Sequence, residues 1–179
     1  MRKFLWALFE VAETVIIAVA AVFVIRAFIA QPFLVSGASM EPTFFNGDYL
    51  LIDEVAYRFR EPSRGEVVVF RYPGDHKSYY IKRIIGLPGE RVEIKNETVT
   101  VLSESGKKVL HEEYLEGNRT SGSVETVLGV DEFFVMGDNR SYSFDSRSWG
   151  PVKDDELVGL VRFRLWPVNH AMAFSAPTY

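Results

Sequence analysis

Thr14 to Ile25 reads TVIIAVAAVFVI, 12 residues without a charge, and Ala27 to Ala30 carries the apolar character past Arg26. Nothing else in the chain limits its fold so strongly, because such a run must be buried either in protein or in lipid. Phe4 to Phe9 extend it backwards, with Glu10 and Glu13 standing between. A helix over Phe4–Ala30, rising ~1.5 Å per residue, is long enough for a hydrocarbon core of ~30 Å. Arg26 and the glutamates then reach the headgroups along their own stems. Residues 1–31 are read as one N-terminal transmembrane helix, an anchor. Two other readings compete, a buried core helix and a cleavable signal peptide. The second requires small residues at the −3 and −1 positions beyond the run. The one Ala-x-Ala, Ala18-Val19-Ala20, lies mid-run, and a cut after Ala30 would put the large Phe28 at −3. Arg2 and Lys3 favour a cytoplasmic N-terminus, and Arg26 on the other flank weakens that argument.

After Gln31-Pro32 the hydrophobic period changes. The segments 33–35, 49–52, 66–70, 79–85, 91–94, 98–102, 132–136 and 157–165 are short and rich in Val, Ile, Phe and Tyr. Between them lie turn residues such as Asn46-Gly47-Asp48, Pro73-Gly74-Asp75, Pro88-Gly89-Glu90 and Gly137-Asp138-Asn139. Short strands punctuated in this way predict a mainly β fold of antiparallel hairpins. Residues 89–130 are more polar and read as a smaller inserted β subdomain within a domain spanning 32–179. With 47% apolar and 14% aromatic residues, the chain can offset the entropy of ordering. The absence of cysteine excludes disulfides, thiolate metal sites and thiol nucleophiles. A net charge of −4 with no dominant basic face argues against nucleic acid as a partner.

Several hydrolase signatures are missing: G-x-S-x-G, H-E-x-x-H and the phosphate loop. His76, His111 and His170 sit in polar or terminal contexts, which supports neither a histidine triad nor a metal site. No cofactor is expected. Three other strings draw attention. Ser36 to Thr43 places Ser39 in a turned, Gly- and Pro-flanked segment just beyond the anchor. In Tyr79 to Glu90, Lys82 interrupts an apolar strand and shares a face with Tyr80 and Ile84 by alternation. Gly137 to Gly150 is a polar, tightly turned loop after a strand. Taken singly, these also suit a capping hydroxyl, a snorkelling lysine and an Asx-rich turn. Together they suggest a serine activated by a neutral lysine. Bringing such a lysine from ~10.4 to 7–8 takes about 4 kcal/mol of destabilisation of its charged form, which a dry apolar surround supplies.

With these residues in view, the chain resembles the bacterial type I signal peptidases, membrane-bound proteases that remove signal peptides from exported proteins. SGASMEPT (36–43), RGEVVVFRYP (64–73), YIKRIIGLPGE (80–90) and GDNRSYSFDSRSWGPV (137–152) carry the resemblance in order, followed by RFRLWP (162–167). The resemblance implies Ser39 as nucleophile, Lys82 as general base and a hydrogen bond from Ser143 to the lysine amine. It also implies ion pairs Asp145–Arg147 and Asp138–Arg83 that stiffen the site, and an oxyanion hole that includes the Ser39 N–H. Gly37 stands where many members carry a serine whose hydroxyl completes that hole. The substrate would add a strand between Phe33–Ser36 and Tyr80–Lys82, its small −1 and −3 side chains entering pockets walled by Phe33, Val35, Met40, Val69 and Ile81. The implied partners are preprotein signal peptides and the lipid bilayer, with no nucleic acid and no metal. The implied location is the cell membrane, crossed once, with the catalytic domain on the extracytoplasmic side. The rival readings are a self-cleaving repressor, a specialised processing peptidase with one partner, and a membrane-tethered β-domain that binds without catalysis. No helix-turn-helix pattern supports the first, and the third gives no reason for Ser39 and Lys82 to be present together.

Overall fold

The structure, a computed structural model, describes the backbone of residues 2–28, 30–177 and 179, and their side chains except for 2, 3, 5, 23–28 and 30. Helix α1, Arg2–Phe28, leads directly into strand β1, Ala30–Leu34. The other strands are β2 (Tyr49–Asp53), β3 (Val67–Arg71), β4 (Tyr79–Gly86), β5 (Arg91–Lys95), β6 (Thr98–Ser103), β7 (Gly106–Val109), β8 (Val124–Val127) and β9 (Glu132–Met136). The short helix α2 (Ser146–Trp149) precedes β10 (Val152–Lys153), β11 (Leu157–Trp166) and β12 (Met172–Ala173). The fold is mainly antiparallel β.

The apolar side chains described on α1, among them Trp6, Phe9, Ile16, Ile17 and Val22, are exposed and not packed on the sheets. That rules out the core-helix alternative, because a buried helix would cover them. Among the described residues no helix is long and apolar enough to cross a membrane. The distal part of the expected span, 23–30 with Arg26, lies outside the described side chains, as do Arg2 and Lys3, on which the orientation argument rests.

The larger sheet runs β1-β2-β11-β3-β4-β9-β10, with β12 added to β11. Strand β3 is apolar from Val67 to Phe70 because both of its faces are covered there. Val67 and Val69 join Val35, Met40, Phe44, Leu50, Ile52 and Val161 on one side. Val68 and Phe70 join Ile84, Phe133, Val135 and Val152 on the other. The second sheet, β7-β6-β5-β8, folds from the polar segment. Its Val92, Ile94, Val99 and Val101 pack with Ile85, Phe134 and Met136 of the larger sheet into a shared core. Strands β7 and β8 escape the apolar-run criterion because their side chains meet water: Gly106–Val109 is exposed along its length and Val124–Val127 on alternate residues.

Two neighbouring strand edges lack a partner strand among the described residues. Among the described residues β1 pairs only with β2. Pairing of β4 with β9 begins at Arg83 opposite Met136, so the same edge of Tyr79–Lys82 has no partner strand. The sheet curls until these edges face each other, and the Phe33 and Tyr79 rings meet edge to face at 5.5 Å.

Gly86 sits where β4 leaves the larger sheet for the smaller one. A Cβ there would overlap Val92 and Leu128 side chains in the shared core. Gly86→Ala is expected to destabilise the fold by about 1–3 kcal/mol. At ~2–4 °C per kcal/mol for a chain of this size, thermal unfolding in detergent would read that cost directly.

Candidate active site

The loop after β1 is shaped by its backbone before any chemistry is considered. Val35 N–H donates to the Asp48 carbonyl at 2.9 Å, and Gly47 N–H returns to the Val35 carbonyl at 3.0 Å. Gly37 has φ +98° and donates its N–H to Asn46 Oδ1 at 3.0 Å, a conformation that a side chain at this position would strain. Asn139 then holds the next turn from above. Its side-chain amide donates to the Ala38 carbonyl at 3.0 Å and its backbone N–H to the Ser39 carbonyl at 3.1 Å. Ser39 is thereby fixed, and among the described residues its own N–H has no acceptor.

Lys82 comes from the open edge of β4. Its Nζ lies 2.7 Å from Ser39 Oγ and 2.8 Å from the Ile81 carbonyl oxygen, and 5.6 Å from the centre of the Tyr80 ring. Only 4% of the residue is exposed. Burial lowers the Lys82 pKa from 10.5 to about 8, while the carboxylates of Asp145 and Asp138 oppose the drop. When the amine is neutral, the Ser39 hydroxyl donates and the amine accepts, so a proton has a short path away from Oγ.

The next residue on β4 points the other way into a buried ion pair. Arg83 donates through Nε and Nη2 to Asp138 at 2.8 and 2.6 Å, and through Nη1 to the Gly65 carbonyl at 2.8 Å. Thr43 adds a hydroxyl to Asp138 at 2.5 Å, which ties the serine loop to the same carboxylate. Asp145 is fully buried. It caps α2, accepts the Gly137 N–H at 3.0 Å and pairs with Arg147 at 2.8 Å. Removing one member of such a pair leaves an uncompensated buried charge, which costs about 3–5 kcal/mol.

Two expectations need correcting. Ser143 does not bond to the lysine amine: Lys82 turns to Ser39 and to its own strand, and Ser143 Oγ is buried with no partner among the described residues. The hydroxyl packs instead against Gly137, where an added Cβ would overlap both Ser143 Oγ and the Ser39 carbonyl oxygen. Met40 is not a wall of the cavity either. It is 1% exposed and lies in the core below the serine loop, because the turn at Ala38–Glu41 rotates its side chain inward.

A cavity of about 390 Å³ opens in front of Ser39 and Lys82. Phe33, Val35, Val69 and Ile81 line it, joined by Leu50, Tyr142 and Phe144, to which the sequence reading gave no role. Tyr142 and Phe144 had a visible signal, two large rings in a stretch that is otherwise polar up to Trp149. Arg140 was missed as well. It is 1% exposed and bonds Glu112, Thr120 and Tyr114 from the small-sheet segment and the Gly137 carbonyl beside the site. Its partners lie 20 to 28 residues away, so spacing gave no hint. Among the described residues no group of His, Asp or Glu is arranged to hold a metal ion.

Residues 8–166 match the family described as signal peptidase, peptidase S26. The chain belongs to that family. It is 38% identical to a probable signal peptidase I-2 of Synechocystis, with 89% of this chain and 73% of that protein covered. A signal peptidase I of Bacillus licheniformis is 38% identical over 90% of each chain, and a signal peptidase IB of Staphylococcus aureus 36% identical over 89% and 92%. A crystal structure of a signal peptidase I from Enterococcus faecalis, 29% identical, covers 56% of this chain and 97% of its own, with a TM-score of 0.49.

The buried amine has a consequence for stability. Its pKa is lower folded than unfolded, so below about pH 8 the fold carries a dehydrated charge, and that penalty fades as pH rises toward 10.5. Lys82→Met keeps the stem and removes the charge. At pH 7 it is expected to raise stability by about 1–3 kcal/mol, less the lost hydrogen bonds. Denaturation of both forms in detergent at pH 7 and pH 10 should show the gain shrinking at the higher pH.

Proposed function

We propose that this protein is a membrane-anchored serine endopeptidase that removes N-terminal signal peptides from preproteins after small residues of the Ala-x-Ala type. The observation that carries the reading is the Lys82 amine, dried by burial and 2.7 Å from Ser39 Oγ, at the head of a cavity between two open strand edges. Ser39 is the nucleophile and Lys82 the general base. Neutral Lys82 takes the hydroxyl proton as Oγ attacks the scissile carbonyl, and the Ser39 N–H steadies the oxyanion. Collapse of the tetrahedral adduct expels the new amine terminus, which receives the proton from Lys82. Water then attacks the acyl-serine, giving its proton to Lys82, which passes it to Oγ as the ester bond breaks, so that the carboxyl product leaves and Ser39 and neutral Lys82 are restored.

The substrate lies extended between β1 and the open edge of β4, so its backbone completes ladder bonds the sheet leaves unmade. Its −1 and −3 side chains face Phe33, Val35, Val69 and Ile81, where an apolar, shallow space favours alanine. The ion pairs Arg83–Asp138 and Arg147–Asp145 hold β4 and the 137–150 loop in register with Ser39. Residues 1–31 form the anchor, with a cytoplasmic N-terminus. Residues 32–179 form the extracytoplasmic peptidase domain, in which 89–130 is an insertion. Ser39 follows the end of α1 closely, which brings the nucleophile to the bilayer surface where a signal peptide's apolar stretch ends.

The test is cleavage of a preprotein whose signal ends in Ala-x-Ala, by the full chain in detergent. Ser39→Ala and Lys82→Met are each expected to lose at least ~10³-fold in kcat/KM, the scale of losing a nucleophile or its base. Cleavage that survives Lys82→Met would require another base and overturn the mechanism. In the wild type kcat/KM should rise about tenfold per pH unit and level off above about 8, because only the neutral amine accepts the proton. A profile flat from pH 6 to 9 would contradict the assignment.

A further inference from the structure

A peptide on the open edge of β4 alternates its side chains between the two faces of the sheet. One face is that of Ile81, opposite Val69 in the β3 ladder and next to Phe33 and Val35. The other is that of Tyr80, opposite Phe70. If the −1 and −3 side chains take the first face, the −2 side chain takes the second. That face is aromatic. Tyr80 stacks on Tyr72 at 4.8 Å with 15° between their planes, and Tyr72 meets Phe144 at 6.0 Å. Tyr80, Tyr142 and Phe144 all line the cavity. Phe144 is 52% and Tyr142 81% exposed, so two large rings stand unburied within a stretch, 137–148, that is otherwise polar.

We propose that Tyr80, Tyr142 and Phe144 form an aromatic subsite that takes the side chain two residues before the scissile bond and prefers a large apolar or aromatic group there. The proposal rests on the peptidase reading above and narrows its substrate class: small at −1 and −3, bulky and apolar at −2. The cavity that holds Ser39 and Lys82 is continuous with these rings, so a residue placed there is already committed to the nucleophile. Ring-on-ring contact gives the attraction its direction, and a charged side chain set against these rings loses water without gaining a partner. Discrimination is therefore against small or charged −2 residues.

The experiment compares four peptides identical except at −2, ending in Ala-Phe-Ala, Ala-Leu-Ala, Ala-Gly-Ala and Ala-Asp-Ala, cleaved by the full chain in detergent. The wild type is expected to favour Phe over Gly by about tenfold in kcat/KM, the scale of a filled apolar pocket. The double variant Tyr142→Ala with Phe144→Ala should bring that ratio to within about twofold of unity, while Phe144→Leu keeps part of it. Because both rates come from one protein sample, the ratio is independent of how much of it is folded. Equal rates for Phe and Gly in the wild type, or a ratio unchanged in the double variant, would overturn the aromatic subsite and leave the peptidase reading standing. A folded wild type that cleaves none of the four would overturn the peptidase reading itself.

Discussion

A primary amine held dry beside a serine hydroxyl is the constraint that organises this molecule. In water Lys82 would be charged and useless as a base; here burial brings its pKa to about 8. The fold must bear the cost of that burial, and does so by placing the amine midway along β4, just before Ile84 and Ile85, which are fully buried in two packed cores. The neighbouring Arg83 shows the opposite solution on the same strand. Its charge is kept, and two hydrogen bonds to Asp138 replace the water it lost. Adjacent positions of β4 thus hold one cation made easy to neutralise and one made permanent.

The permanent pair also sets distances. Asp138 receives Arg83 from β4 and Thr43 from the serine loop, so one carboxylate fixes both the strand that carries Lys82 and the loop that carries Ser39. Asp145 does the same for the loop that follows β9, binding the Gly137 N–H and Arg147 at once. Arg140 extends the scaffold to the small-sheet segment through Glu112 and Thr120. Buried charges of this kind add little net stability; they select one geometry, because any displacement strands a charge in a dry place.

Much of the fold was legible in the chain. The eight apolar segments read as strands all lie on strands within a few residues, since alternation and turn residues respond to the same burial. β7, β8, β10 and β12 were not legible. They are short or half in water, so no apolar pattern marks them. At the site, residue type announced Ser39 and Lys82, because a lysine inside an apolar strand is chemically conspicuous. The Ser143 contact and the place of Met40 went wrong for one reason: both depend on the direction of a turn, which residue spacing does not encode.

The sequence by itself determined the apolar N-terminal helix, the β character of the remainder and the choice of Ser39 and Lys82 as candidate reactive groups, all of which follow from local hydrophobic period and side-chain chemistry. Only the tertiary structure decided that Ser39 and Lys82, 43 residues apart, approach to 2.7 Å. It also decided that Tyr142 and Phe144 close the cavity and that Arg140 ties the site to the second sheet. These are long-range matters. They depend on how a curled sheet brings two open edges face to face, and no window along the chain contains both edges at once.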